Sequence, residues 1–478
     1  MTREGARGLP PGFASALVVG LGISGRAAAE KLLREGVRVT VNDISRGEGV
    51  REAALALRAM GASCELGHHD PALLSDVDLV VVSPGVPGGT ALLREARERG
   101  IPLWSEVELA WRFARGPVIA VTGTNGKTTT TRMIEWICRQ AGMKARAAGN
   151  IGHPFVKAAE EAEEGELLVV EVSSFQLAHT ETFRPRVSVL LNVAEDHFDW
   201  HADMEEYVAA KSRIWANQRD EDLVVCNLDD PRCVDAARSA RPPVAYFSRL
   251  RESGADVFLR EGKVLARTRL LAAGDGGTLE VMAAADLPLP GGHNLENAMA
   301  AAAAAMGVGV PAGKAGQALG SFRGLSHRLE LAAEAGGVRF YDDSKATNPH
   351  AALRALEAFR GPLVVVMGGR NKGLGFGELA EALRGRARRG EVKAVFLIGE
   401  AAREIAAALE AADMPARVEV MRDLVEVFDR LPSVLQEGDT VLFSPACASF
   451  DQYADYRERG RHFQEMARKY AAEVSGRG

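Results

Sequence analysis

Gly123-Thr-Asn-Gly126-Lys127-Thr128 lies between an apolar run, Pro117–Val121, and a stretch of helical patterning that extends to about Gln140. Glycines here let successive backbone N–H groups curl around an anion, and a helix N-terminus adds partial positive charge. Lys127 can reach β- and γ-phosphate oxygens of a nucleotide, and the Thr128 hydroxyl can ligate magnesium. The usual phosphate loop reads GxxxxGK[ST]; here its first position is Val121 and the glycine is displaced to Gly123, so the loop is a shortened variant. Magnesium takes hard oxygen ligands. Leu167–Val170 runs into Glu171, and Val189–Asn192 runs into Ala194-Glu195-Asp196-His197. Strand C-termini of an open α/β sheet face its binding crevice, which makes Glu171 and His197 the candidates there. Lys211, in Tyr207-Val-Ala-Ala-Lys-Ser, reads from spacing alone as a solvated lysine on a helix.

A second glycine turn, Gly20-Leu-Gly22-Ile23-Ser24-Gly25, follows the apolar run Ala16–Val19, with Asp43 at the end of the next run. By itself this is a dinucleotide fingerprint, but the same turn cradles any diphosphate, so NAD and UDP stay equally open. Asn294 and Asn297 share one face of an Ala-rich helix. Two amides there suit an adenine edge; helix capping is the equal alternative for Asn294.

The elements that must hold these residues alternate strand and helix throughout. The reading is α/β with three successive units built on parallel sheets: residues 1–105, Rossmann-like; 106–323, a phosphate-loop ATPase unit with small β-elements; 324–478, again Rossmann-like. The Gly254–Leu289 stretch, with short alternating runs and glycine turns, reads as β-hairpins decorating the middle sheet. The length, 478 residues, accommodates three domains. With 47% hydrophobic and 26% charged residues, global disorder is excluded. The longest apolar run, Ala298–Val310, is too short for a membrane span, and the N-terminus lacks a secretory apolar core. A net charge of −6 offers no basic surface for nucleic acid or anionic membrane. Five scattered cysteines without a CxxC pair give neither a disulfide framework nor a cysteine zinc site, and fit reduced thiols in the cytoplasm.

Together these blocks resemble the Mur ligase family, the ATP-dependent amide-forming enzymes of peptidoglycan synthesis, from about Ala16 to near the end. Further blocks carry the resemblance: Gly149-Asn-Ile-Gly152, Glu171–Gln176, Asn192–His197, His293–Asn297, His327-Arg-Leu-Glu330, Asp343-Ser-Lys-Ala-Thr-Asn348 and Ser444–Tyr453. The resemblance, strongest to the branch that adds D-glutamate to UDP-N-acetylmuramoyl-L-alanine, implies that the substrate carboxylate attacks the γ-phosphate of ATP. An acyl phosphate forms, and the D-glutamate amine displaces phosphate. It implies ATP contacts from Gly123, Thr124, Asn125, Gly126, Lys127, Thr128, Thr129, Asn294, Asn297, Arg328 and Asp343. It implies Mg2+ at two sites, with Thr128, Glu171, His197 and a carbamoylated Lys211 around them; a carbamate would offer the metal an anionic oxygen where an ammonium would repel it. Gly22, Ile23, Ser24, Asp43, Ser83, Pro84, Gly85 and Asn150 would hold the UDP substrate. Lys345, Thr347, Ser449 and Tyr456 would hold D-glutamate, and Lys372 would approach the acyl phosphate. Lys127, His197, Lys211 and Lys372 are the implied catalytic set, in a cytoplasmic monomer with small-molecule partners only.

Rival readings leave motifs unused. A nicotinamide-dependent dehydrogenase explains Gly20–Asp43 and ignores Gly123–Thr128. A nucleotide-binding regulator needs no amino-acid block. A sister ligase or a folylpolyglutamate synthetase would add another amino acid; the Asp343–Asn348 block favours D-glutamate, and the Asp-Asn-Pro-Arg block of the diaminopimelate- or lysine-adding sister is missing.

Overall fold

The structure, a computed structural model, describes residues 8–196, 200–268 and 277–475. They form two compact units: one of residues 8–193, 200–286 and 297–320, the other of 194–196, 287–296 and 321–475.

The first unit contains two sheets. β1 (Ser15–Val19), β2 (Arg38–Asp43), β3 (Ser63–Leu66), β4 (Leu79–Val82) and β5 (Leu103–Ser105) form a parallel sheet in the order β3-β2-β1-β4-β5. The order reverses between β1 and β4, the position where such sheets open a crevice at their strand ends. The Gly20 turn leaves β1 there, and the Ser83 loop leaves β4.

The second sheet comprises β6 (Val118–Thr122), β7 (Ala145–Gly149), β8 (Leu167–Glu171), β9 (Val187–Leu190), β10 (Leu223–Asn227), β11 (Val244–Ser248), β12 (Val257–Arg260), β13 (Lys263–Arg267) and β14 (Thr278–Ala283). Its order is β14-β13-β12-β11-β10-β9-β6-β8-β7. The expected hairpins of the 254–289 stretch are present: β12–β13 and β13–β14 pair antiparallel, and β12 joins them to the sheet by pairing parallel with β11. Phe258 and Leu265 are buried there, so these hairpins extend the sheet with apolar cover. The inner strands β6 and β8 are wholly buried, as their continuous apolar runs require when helices cover both faces. The helix Lys127–Gln140 buries Met133, Ile134, Ile137 and Cys138, helical spacing that presents one apolar face to the sheet.

One continuous core joins the two sheets, running from Ala16 and Val18 through Trp104, Val107 and Ala110 to Phe155 and Phe183. The helix Glu106–Phe113 carries this junction. Glu108 accepts backbone N–H groups of Glu181 (2.9 Å), Thr182 (2.9 Å) and Phe183 (3.0 Å), and Arg112 Nε donates to it at 3.0 Å. Glu106 accepts the N–H of Val156 at 2.6 Å. Three sheets are present, one for each unit that the sequence suggests, and the first two share a hydrophobic core.

In the second unit, β15 (Glu330–Ala335), β16 (Val338–Asp342), β17 (Leu363–Gly368), β18 (Val392–Ile398), β19 (Arg417–Val420) and β20 (Thr440–Phe443) take the order β15-β16-β20-β17-β18-β19. All neighbours are parallel except the antiparallel edge pair β15–β16. No helix among the described residues is long and apolar enough to cross a membrane.

Candidate active site

The phosphate loop leaves β6, and its shape depends on two left-handed glycines. Gly123 has φ +149° and Gly126 has φ +85°. A Cβ on Gly126 would sit 2.3 Å from Asn297 Oδ1, so this position requires glycine on two counts. The loop is clasped from β9: Thr124 N–H donates to Asn192 O (3.0 Å) and Asn125 N–H to Asn192 Oδ1 (2.8 Å), while Asn192 Nδ2 donates back to Asn125 O (3.1 Å). The pairing Thr122–Leu190 of β6 and β9 brings Asn192 level with Thr124. Asn192 is a site residue that spacing did not reveal; its side chain mimics a backbone strand partner.

Lys127 Nζ folds over its own loop, donating to Gly123 O (2.9 Å) and Thr124 O (2.8 Å). Lys211 corrects the surface reading of its spacing: it is 2% exposed, and its Nζ donates to Gly123 O at 3.0 Å. Two lysine amines therefore meet at one carbonyl. Lys211 Nζ also lies 4.2 Å above the Tyr207 ring, whose hydroxyl is 3.2 Å from Thr124 Oγ1. Tyr207 and Lys211 lie at i and i+4 on the helix Met204–Ser212 and so share the face turned to the loop. Thr129 is buried in the first turn after the loop. Thr128 follows Lys127 at that helix start.

Glu171 ends β8, directly across from Val121 of β6. It is 3% exposed, and its Oε2 is buried without a hydrogen-bond partner among the described residues. A buried carboxylate oxygen with no donor is a costly group unless something hard and positive takes it. The donor chemistry of Glu171, beside a phosphate loop, fits magnesium. Asn150 N–H donates to Glu171 O (3.0 Å), and Gly149 has φ +96° with its would-be Cβ 2.2 Å from the same carbonyl. The Gly-Asn pair is thus held at the Glu171 strand end, with Asn150 exposed. His197 lies outside the described residues. His201 Nε2 is 2.9 Å from the hydroxyl of Ser174, which opens the short helix Ser174–Ala178 after Glu171, and its ring lies 5.1 Å from that of Tyr207.

At the β1–β4 crevice, Gly20 has φ +90°, and a Cβ on Gly25 would meet Gly20 O at 1.8 Å. Ser83 is buried and donates from Oγ to Gly20 O (2.7 Å). Asp43 accepts Leu21 N–H at 2.7 Å and Ser45 N–H at 2.8 Å. Both residues brace the turn. Gly22, Ile23 and Gly85 are exposed, Ser24 and Pro84 half-buried. The helix Ile23–Arg34 starts here with no side-chain cap, leaving its first N–H groups available to an anion.

The helix Gly292–Met306 holds both candidate amides. Asn297 Oδ1 accepts from Thr130 Oγ1 (3.3 Å) and lies against Gly126, so this amide supports the phosphate loop. Asn294 Nδ2 donates to Pro290 O (2.7 Å), a local side-chain bond to the backbone four residues earlier and not a helix cap.

In the second unit Asp343 is buried; its Oδ2 accepts from Ser444 Oγ (2.8 Å) and its Oδ1 from Leu329 N–H (3.3 Å). Burial pushes its carboxyl up to about 7 against the pull of Ser444 and Arg328. Asp343 thereby ties the ends of β16 and β20 together. Arg328 is flanked by His327 (φ +64°) and Leu329 (φ +45°), both left-handed. Lys345 Nζ lies 3.8 Å over the Tyr456 ring, a cation–π pair. Ser449 is buried and Thr347 half-buried. Lys372, half-buried, belongs to a loop strapped to the Ser449 segment: Arg370 N–H donates to Ala448 O (2.8 Å), and Ala448 N–H to Arg370 O (2.9 Å). Arg459 is 1% exposed and fastens these loops, donating to Ser344 O (2.8 Å), Cys447 O (3.0 Å) and Ala448 O (3.1 Å). In sequence it reads as one arginine among many on a charged helix.

Comparison with known proteins places this geometry. The MurD-like N-terminal domain of Mur ligases matches residues 14–105, the Mur ligase middle domain 121–305, and the Mur ligase glutamate ligase domain 327–447. A UDP-N-acetylmuramoylalanine–D-glutamate ligase of Acidobacterium capsulatum is 42% identical over 94% of this chain and 95% of its own length. One of Pelotomaculum thermopropionicum is 41% identical over 94% and 96%. Among solved structures, a UDP-N-acetylmuramate-alanine ligase of Thermotoga maritima aligns at TM-score 0.57 and 21% identity, over 95% of this chain and 99% of that one. A pseudomurein peptide ligase type C of Methanothermus fervidus aligns at 0.58 and 19%, over 95% and 99%; at such identities these two speak for the fold alone. With matches in all three sheets and full-length relatives at this identity, the chain that builds this phosphate loop belongs to the Mur ligase family.

Proposed function

We propose that this enzyme is an ATP-dependent, ADP-forming ligase that joins D-glutamate to UDP-N-acetylmuramoyl-L-alanine in peptidoglycan precursor synthesis. The observation that carries the reading is Glu171, a buried carboxylate oxygen without a donor, on the strand next to the phosphate loop and level with its start. The substrate carboxylate attacks the γ-phosphorus of ATP; the β,γ-bridging oxygen leaves with ADP. The amine then attacks the acyl carbon, and the C–O bond to phosphate breaks. Activation is needed because a free carboxylate is a poor electrophile at neutral pH, and the protein's part is positioning and charge neutralisation.

In this scheme Gly123, Thr124, Asn125, Gly126 and Thr129 line the phosphates, with Asn192 holding the Thr124 and Asn125 N–H groups to shape the loop, while Lys127 releases its two loop carbonyls to meet them. Thr128, Glu171 and His197 would hold magnesium, which when bound offsets negative charge on the phosphates. A carbamate on Lys211 would join them. Two amines on Gly123 O crowd positive charge, and carbamoylation of one replaces that repulsion with attraction to Lys127. The exposed edge formed by Gly22, Ile23, Ser24, Pro84 and Gly85, braced by Ser83 and Asp43, would take the UDP moiety, and Asn150 the muramoyl end. Lys345, Thr347, Ser449 and Tyr456 would bind D-glutamate; Lys372 would neutralise the acyl phosphate. Arg328 would reach the ATP phosphates. Asp343, Asn294 and Asn297 would serve ATP through the loops they hold. The enzyme works as a cytoplasmic monomer on small molecules.

Phosphate release from ATP tests the scheme, assayed with UDP-N-acetylmuramoyl-L-alanine and a panel of amino acids. Release that requires both the nucleotide-sugar substrate and D-glutamate is expected. Release with another amino acid would point to a sister ligase, and nucleotide binding without turnover would overturn the enzyme reading.

A further inference from the structure

Asn348 ends the Asp343–Asn348 block and is 4% exposed, yet neither the phosphate loop nor the amino-acid ligands account for it. Its Oδ1 accepts Ala351 N–H at 2.8 Å and so caps the helix Pro349–Glu357. That bond fixes which end of the amide is oxygen, leaving Nδ2 as a donor. Nδ2 donates to Asp196 Oδ2 at 3.0 Å, and Asp196 is likewise 4% exposed. Asp196 packs in the second unit, although its chain has just left β9 of the first, where Asn192 clasps the phosphate loop. On the other side, Asn348 follows Thr347 directly and Lys345 closely. A buried amide–carboxylate bond thus joins the segment leaving the phosphate loop's clasp to the loop proposed to hold the amino acid.

We propose that the Asp196–Asn348 hydrogen bond is a positioning contact for amino-acid use: within the second unit it sets the Lys345–Thr347 loop against the Asp196 segment. The inference rests on the ligase reading above. Asn348→Asp separates this role from mere folding, because aspartate caps a helix as well as asparagine does but places a second carboxylate against Asp196. The reciprocal pair, Asp196→Asn with Asn348→Asp, again faces a donor with an acceptor.

Steady-state kinetics and thermal unfolding of the full chain provide the test. Wild-type turnover with D-glutamate is measured first; its absence would overturn the ligase reading and this inference with it. Asn348→Asp is expected to lower kcat/KM for D-glutamate by about ten- to a hundredfold, the usual range for a hydrogen bond to a charged group. Its KM for ATP should stay near wild type; two buried carboxylates facing each other should lower its unfolding midpoint, and the reciprocal pair should recover most of both losses. Three results would overturn this inference alone: an unchanged kcat/KM for D-glutamate in Asn348→Asp, an equal rise in KM for ATP, or a reciprocal pair as impaired as the single variant.

Discussion

Gly126→Ala tests the phosphate loop at the atom where its geometry is tightest. Gly126 has φ +85°, and the new methyl would lie 2.3 Å from Asn297 Oδ1. Holding alanine in the left-handed region costs about 1–2 kcal/mol. The Asn297 amide can swing away, but it then gives up the bond from Thr130 Oγ1, buried at 3.3 Å, for about 1 kcal/mol more. The loop can also relax to a right-handed turn, and then its amides no longer converge on one anion. Either way about 2–3 kcal/mol is set against nucleotide binding, a fall of about thirty- to a hundred-and-sixtyfold in kcat/KM for ATP. The assay is phosphate release at saturating acceptor and amino acid, with Gly313→Ala as the control. Gly313 lies in the helix Ala312–Gly320 with nothing within 4 Å of its would-be Cβ, so that change should leave the rate alone. Equal kcat/KM for ATP in the two variants would refute the phosphate-loop assignment.

Glu171→Gln keeps the side-chain volume and removes an anionic oxygen, so the Mg2+ concentration for half-maximal rate should rise by about tenfold or more; an unmoved Mg2+ profile would count against Glu171 as a ligand. Lys211→Ala should nearly abolish turnover, and bicarbonate-depleted wild type should regain rate on adding bicarbonate, with a carbamate carbon signal from labelled bicarbonate; full activity without either would dismiss the carbamate. Glu106 is buried at the junction of the first two sheets, and burial pushes its carboxyl up to about 7 from an ordinary 4.5. A raised acid favours folding below 4.5 and loses that contribution as pH rises through about 7. The unfolding midpoint of wild type relative to Glu106→Gln should therefore drop between pH 5 and pH 8, as read by calorimetry, and a flat difference would show that Glu106 does not titrate there.

The nucleotide end of the site was legible because its signals are local. Gly123, Gly126, Lys127 and Thr128 announce a loop whose backbone conformation only glycine tolerates, and Glu171 announces itself by ending an apolar run. β1, β6, β8, β10 and β20 are continuous apolar runs, so their places could be read to within a residue or so. β7, with Arg146 in a run of small residues, and β15, a half-exposed antiparallel edge, have no such pattern and were missed. Lys211 was misjudged for a related reason: its helix has no apolar stripe, and what buries it are Tyr207 and Gly123, the latter far away in sequence.

The junction of the first two sheets shows what side-chain patterning leaves unread. Glu106-Val-Glu-Leu looks like the solvated first turn of a surface helix, with acids placed to suit its dipole. Both carboxylates are instead buried, and backbone N–H groups far off in sequence donate to them, Val156 for one and Glu181 to Phe183 for the other. A backbone N–H leaves no trace in side-chain patterning, so no composition shift could mark these acids as internal. Removing the helix would strand the three N–H groups that Glu108 accepts, and a buried unpaired group costs about 1–3 kcal/mol. Together with the apolar contacts around Trp104 and Val107, these bonds fasten the first sheet to the second.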